Sequence, residues 1–167
     1  YLLQEFGSPI SNKRKDEYGL SSNDKYKLQQ QIIESISKIK KKNKIIGAKV
    51  TGDDHLKNGI KPDNCVELIN KLKLKGLNYA CISSGGIIPI TKMKKNKTAF
   101  RLKMAKYIKK KTNLLIRTSG NLNSKKILLN SIKKKDVDLI AIGREFIKNK
   151  YFLYQFKNLN LKKISQY

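Results

Sequence analysis

Tryptophan is absent from this 167-residue sequence, proline occurs three times, cysteine twice and histidine once, and acidic residues number 12 against 38 lysines and arginines. Each shortage excludes something. The two cysteines, Cys65 and Cys81, have no C-x-x-C spacing and sit in apolar runs. They therefore read as small buried hydrophobes and not as a disulfide or a metal pair. No stretch approaches the ~20 apolar residues of a membrane span. The start shows no secretory pattern, so the expected compartment is the cytoplasm. No G-x-G-x-x-G turn follows any predicted strand, which argues against a dinucleotide-binding sheet. Arginine is scarce as well. Only Arg14, Arg101, Arg117 and Arg144 are present, so 34 of the 38 basic residues are lysine.

The formal net charge of +26 points toward nucleic acid or an anionic surface. The make-up of that charge points the other way. The lysines are spread along nearly every predicted helix, and arginine is the better side chain for bidentate phosphate and base contacts. Solvated lysine faces in a chain rich in Lys, Asn and Ile are the expectation, with no specific nucleic-acid partner. An RNA- or ribosome-associated protein is the alternative.

The periodicity alternates between helix and strand. Leu28, Ile32, Ile36 and Ile39 fall at helical spacing, and "IIGAKVT" from Ile45 to Thr51 reads as a strand. Pro62 and Asp63 open a helix carrying Val66, Ile69 and Leu72, which Gly76 stops. "YACIS" is the next strand, and after a lysine-rich loop comes a helix with Leu102, Ala105 and Ile108. "NLLIRT" is a third strand, Ser124 caps a helix with Ile127, Leu128 and Ile132, and "VDLIAIG" is a fourth strand. A final helix or helix pair is expected over roughly Glu145 to Leu159.

Four such units predict an α/β fold with a parallel sheet, each strand a near-continuous apolar run buried on both faces. A small doubly wound sheet and part of a (β/α)8 barrel compete. The barrel reading expects polar and glycine-rich chemistry at the C-terminal strand ends, and "TGDD", "SSGG", "TSGN" and "GRE" all fall there. A whole barrel takes ~250 residues. Residues 1–167 therefore read as one partial TIM barrel, its C-terminal half with strands five to eight. "SGN" and "GR" end the last two strands, where barrels often bind phosphate. Glycine lets backbone amides approach an anion, and Arg144 can clamp it. The plainer alternative makes Gly120 and Gly143 tight turns and Arg144 a salt-bridged surface residue.

The opening "YLLQEFGSPISNKRKDEYG", followed by "SSNDKYKL", resembles the signature loop of the old yellow enzyme family of flavin-dependent NAD(P)H oxidoreductases and ene-reductases. "ISSGGIIP" and "VDLIAIGREF" resemble that family's later strand ends, in the right order. The resemblance implies a (β/α)8 barrel with FMN at its C-terminal face, NAD(P)H as reductant, and an activated alkene or quinone-like acceptor. A homo-oligomer is compatible with it. Tyr1 matches the tyrosine proposed to protonate the substrate's α-carbon. Lys49 stands where the family usually has an arginine beside the flavin's pyrimidine edge. Gly85, Gly120, Gly143 and Arg144 match the phosphate-side segments, and Ser84 is a further cofactor-binding candidate. Arg117 and Thr118 depart from the usual small, apolar approach to the seventh strand end, and "GLSSNDK" departs from "GGS-x-ENR" at Leu20 and Lys25. His55 matches neither member of the family's substrate-gripping pair and reads as a loop residue. Arg14, Asp16 and Glu17 are expected to pair with one another and brace the opening loop.

Overall fold

Ten short elements alternate along the chain in the computed structural model, which describes residues 1–88, 99–152 and 154. Helix α1 (Leu2–Gly7) occupies the segment read as an opening loop. It is followed by α2 (Lys27–Ile39), β1 (Gly47–Thr51), α3 (Pro62–Leu74), β2 (Tyr79–Ser83), α4 (Leu102–Thr112) and β3 (Leu115–Thr118). Then come α5 (Lys125–Lys133), β4 (Leu139–Ile140) and α6 (Arg144–Lys148). The lysine-rich loop at 89–98 lies outside the described residues, as do residue 153 and the part of the predicted final helix beyond residue 154.

The four strands form one parallel sheet in the order β1-β2-β3-β4. Two short devices set its register. The Ile46 N–H donates to Asn78 Oδ1 at 2.7 Å and Asn78 N–H returns a bond to the Ile46 carbonyl at 2.8 Å. Asp138 does the same for Ile116, at 2.9 Å in both directions. A polar residue just ahead of β2 and of β4 thus satisfies the backbone of the preceding strand where the ladder begins.

Helix α3 starts on Pro62, whose fixed φ suits the first turn, and the Lys61 N–H donates to Asn64 Oδ1 at 2.9 Å. It ends at Gly76, whose φ of +106° is costly for a side-chain-bearing residue. A Cβ at Gly76 would also lie 2.5 Å from Ser37 Oγ of α2. The two helices therefore pack closely there.

Ala48, Val50, Ala80, Ile82 and Ile116 point to one side of the sheet, where Cys65, Ile69, Leu72, Ala105 and Ile108 meet them in the core. A smaller cluster gathers Leu122, Leu128 and Phe152 under β4 and α6. The strand residues between the core positions line a concave face, which carries Lys49, Cys81 and Arg117 at one register level. Sequential strand order with helices on one side only is the geometry of a partial (β/α)8 barrel; a doubly wound sheet carries helices on both faces.

Several expectations are corrected here. Among the described residues the strands are covered on one face, not two, as the alternating burial of β2 shows. Cys65 is buried, but Cys81 is only half-buried on the concave face. In α2 the buried residues are Gln29, Gln30 and Ile33, while Ile36 and Ile39 are exposed. Gln29 donates to the Leu3 carbonyl at 2.9 Å and Gln30 to Asp24 at 2.7 Å, which is what makes their burial tolerable. In α3, Cys65 and Leu68 join Ile69 and Leu72 inside while Val66 is only partly buried. Strand β4 is two residues long, and Ile132 of α5 is exposed. The Ser124 side chain makes no capping bond.

Candidate functional site

The C-terminal ends of the four strands gather on one rim, tied to each other by backbone bonds. Gly52 N–H donates to the Ser83 carbonyl at 2.9 Å, Gly85 N–H to Asp53 at 2.8 Å, and Ala141 N–H to Thr118 at 2.8 Å. Asp54, 2% exposed, organises the first of these ends. Its Oδ2 accepts from Ser8 Oγ at 2.7 Å and from the Ile60 N–H at 2.8 Å. Its Oδ1 accepts from Gln4 Nε2 at 2.9 Å, and the same amide donates to the Gly85 carbonyl at 3.0 Å. A buried carboxylate with three donors is well satisfied. It fastens α1 across the ends of β1 and β2, and Tyr1 sits at the start of that helix.

The rest of the opening segment is bracing. Arg14 pairs with Asp16 as expected, but Glu17 pairs with Lys27 of α2. Asn12 Nδ2 donates to the carbonyls of Phe6 and Tyr18 at 2.8 and 2.9 Å, and the Phe6 and Tyr18 rings meet edge to face.

Three adjoining cavities open along the rim and concave face. One, of about 420 Å³, contains Tyr1, Gln4, Lys49, Ser84, Gly85 and Arg101 among its lining residues. A second, of about 280 Å³, is lined by Arg101, Ser119, Gly120, Gly143, Arg144 and Glu145 among others. The third, of about 380 Å³, lies on the concave face against Lys49, Cys81, Arg117 and Ser119. Arg101 is shared by the first two, Lys49 by the first and third, and Ser119 by the second and third.

The residues singled out from sequence thus fall into two groups. Tyr1, Lys49, Ser84 and Gly85 share one cavity; Gly120, Gly143 and Arg144 share the next. Tyr1 is 95% exposed, and Lys49 is also exposed. Gly85, at φ +69°, spends its N–H on the Asp53 carbonyl, so what it offers a ligand is the absence of a side chain. At Gly143 a Cβ would meet nothing within 4 Å, leaving the backbone open to the cavity. Arg144 is exposed and forms no salt bridge among the described residues. Its contact is Nη2 to Asn121 Oδ1 at 3.5 Å. The surface salt-bridge alternative for Arg144 has no support in this geometry.

Arg101 was missed by sequence reasoning. It precedes α4 and reaches back across two strand ends. Its Nε donates to Ser84 Oγ at 2.9 Å, Nη2 to the Ser84 carbonyl at 3.3 Å and Nη1 to Ser119 Oγ at 3.5 Å. The guanidinium lies 4.7 Å from the centre of the Phe100 ring. A Cβ on Gly120 would press on both, at 3.1 Å from Phe100 and 3.3 Å from Arg101. Burial lowers the Arg101 pKa, yet a guanidinium stays charged in proteins. The available signal was its rarity: it is one of four arginines, placed next to an apolar helix face.

His55 is an exposed loop residue at φ +59°, its N–H bonded to Asp53 Oδ1 at 2.7 Å, and it lines none of the three cavities. Thr118 is fully buried toward the helices, whereas Arg117 faces the concave side. Among the described residues no cluster of three or more His, Cys, Asp or Glu is arranged to hold a metal, and no helix is long and apolar enough to cross a membrane.

Comparison with known proteins agrees with the fold. The sequence profile described as NADH:flavin oxidoreductase / NADH oxidase family matches residues 1–162. A 2-naphthoyl-CoA reductase in complex with 2-naphthoyl-CoA superposes with a TM-score of 0.80 at 18% identity, covering 94% of this chain and 24% of that one. Histamine dehydrogenase from Rhizobium sp. 4-9 gives 0.76 at 17% identity, with 97% and 24% covered. An old yellow enzyme homologue from Zymomonas mobilis gives 0.63 at 16% identity, with 95% and 44% covered. The chain thus spans 24% to 44% of the length of these proteins.

Proposed function

The chain belongs to the NADH:flavin oxidoreductase / NADH oxidase family, and from that premise we propose that it is the C-terminal half-barrel of an FMN-dependent NAD(P)H oxidoreductase acting on an activated alkene or quinone-like acceptor. The observation that carries this reading is the joining, through Arg101, of two differently equipped cavities. One offers open glycine backbone and Arg144, the other a phenol and the Lys49 ammonium.

The residues present fit a phosphorylated flavin. The Gly143 backbone is open where a Cβ would project, and two guanidiniums border the same cavity, which suits a phosphate monoester. Gly120, Gly143 and Arg144 would hold the phosphate; Gly85, expected on the phosphate side, instead shares the cavity of Tyr1 and Lys49, so Ser84, Gly85 and Lys49 would border the ring. When bound, FMN supplies two-electron hydride chemistry between the nicotinamide and the acceptor. Lys49 keeps the positive charge of the family's arginine but lacks its planar fork. Tyr1 supplies the proton needed at the acceptor's α-carbon, so that NAD(P)H, one proton and an alkene give NAD(P)⁺ and the saturated product. The Asp54 network holds the helix that carries Tyr1 against the ends of β1 and β2.

Flavin absorbance of the purified protein and titration with FMN test the reading. FMN bound in one-to-one ratio and bleached by NADPH or NADH is the expected result. A protein that neither carries nor takes up flavin would return the basic RNA-associated alternative to first place.

A further inference from the structure

We propose that Arg101 is a second guanidinium ligand for the phosphate monoester of the bound molecule, acting opposite Arg144; the flavin as that molecule rests on the reading above, but the clamp itself does not. Arg101 and Arg144 line one cavity together with the loop Ser119–Gly120 and the open Gly143.

Three observations fix Arg101 in that role. Its bonds to Ser84 and Ser119 engage three of the five N–H groups a guanidinium carries, leaving donors for an anion. Its guanidinium carbon lies 4.7 Å from the centre of the Phe100 ring, and the Ala99 N–H is bonded to the Asn121 carbonyl at 3.1 Å, so the residue is anchored to the loop after β3. Gly120 makes room for it, since a Cβ there would crowd both Phe100 and Arg101. Among the described residues the one carboxylate lining the cavity, Glu145, is paired with Lys148 at 3.2 Å. A rigid, pre-positioned guanidinium loses little freedom on binding, which favours a planar, bidentate contact with phosphate oxygens.

The test is titration of wild type, Arg101→Ala and Arg101→Lys with FMN, with riboflavin, which lacks the phosphate, and with inorganic phosphate. The expected result is a ten- to hundredfold loss of FMN affinity in Arg101→Ala, a smaller loss in Arg101→Lys, and unchanged riboflavin affinity. Equal losses for FMN and riboflavin would make Arg101 only a brace between strand ends and overturn the proposal. FMN affinity unchanged in both variants would also overturn it while leaving the flavoprotein reading intact. Wild type that takes up neither flavin but binds phosphate through Arg101 would keep the clamp and overturn the flavin. Wild type that binds none of the three probes would overturn both. The Lys variant keeps the comparison available should Arg101→Ala fold poorly, because the FMN-to-riboflavin ratio is read within one protein.

Discussion

Ser8 Oγ donates to Asp54 Oδ2 at 2.7 Å, joining the first helix of the chain to the loop after its first strand. The carboxylate is 2% exposed and also receives Gln4 and the Ile60 N–H, so three donors depend on it. Asp54→Ala removes the acceptor shared by Ser8, Ile60 and Gln4, of which Gln4 alone keeps a second bond, to the Gly85 carbonyl, and is expected to cost on the order of 3 kcal/mol. Ser8→Ala leaves the other two bonds in place and should cost about 1 kcal/mol. Denaturant midpoints of the two variants measure this. Equal small losses would mean that the network is not what holds α1 in position.

Arg144 should matter to FMN and not to folding, because it is exposed and its contact is a long one to Asn121. Arg144→Ala removes a charge-assisted contact worth ~1.5–3 kcal/mol, or roughly ten- to a hundredfold in FMN affinity, with the melting temperature unchanged. Lys49→Arg, which restores the fork, should tighten FMN or leave it as it is. Wild-type FMN affinity in Arg144→Ala would place the phosphate elsewhere.

Tyr1→Phe separates the two half-reactions. The exposed ring keeps its shape while the hydroxyl is lost, so flavin binding and reduction by NAD(P)H are expected to stay near wild type. Oxidation by alkenes that need a proton should slow by about a hundred- to ten-thousandfold, the usual size of a general-acid effect. Stopped-flow traces of each half-reaction read this directly. A slower reductive half with an unchanged oxidative half would remove Tyr1 as the proton donor.

Stability should fall at alkaline pH through two buried groups. Burial pushes the Cys65 thiol up to about 12, and burial, with Glu67 nearby, raises the Tyr26 phenol well above its usual value. Both are held neutral in the folded state. Their contribution is therefore fully present below the unfolded thiol's pKa, near ~8.5, and is lost as pH rises toward 12. Stability measured from pH 8 to 11 should fall, and the Cys65→Ala variant should fall less steeply. In the native protein at pH 8, a maleimide should label half-buried Cys81 and spare Cys65. Native labelling of both thiols at one rate would contradict the burial of Cys65.

Local pattern alone determined the order of helices and strands from α2 onward, the limits of β2 at Tyr79–Ser83, the stop at Gly76, and the placing of the glycine-rich segments at the strand ends, but not the helix α1 in the opening segment. Those features depend on backbone propensity and on spacing within a single element, which a sequence carries openly. The opening stretch also carried the family resemblance, through a long run of particular residues. Tertiary structure decided the rest. Gln29 is buried and Ile39 is 83% exposed because α1 covers one end of α2 and nothing among the described residues covers the other. One-sided burial of the strands follows from which face the helices occupy, and the strands' own composition does not reveal that face. Asp54 reads as one of two adjacent acids in "TGDD", and only the approach of Ser8 and Gln4, about fifty residues distant, makes it the hub. Arg101 reads as the residue before a helix until the sheet brings Ser84 and Ser119 within its reach. Contacts between residues far apart in sequence are set by chain packing, so periodicity within one element carries no record of them.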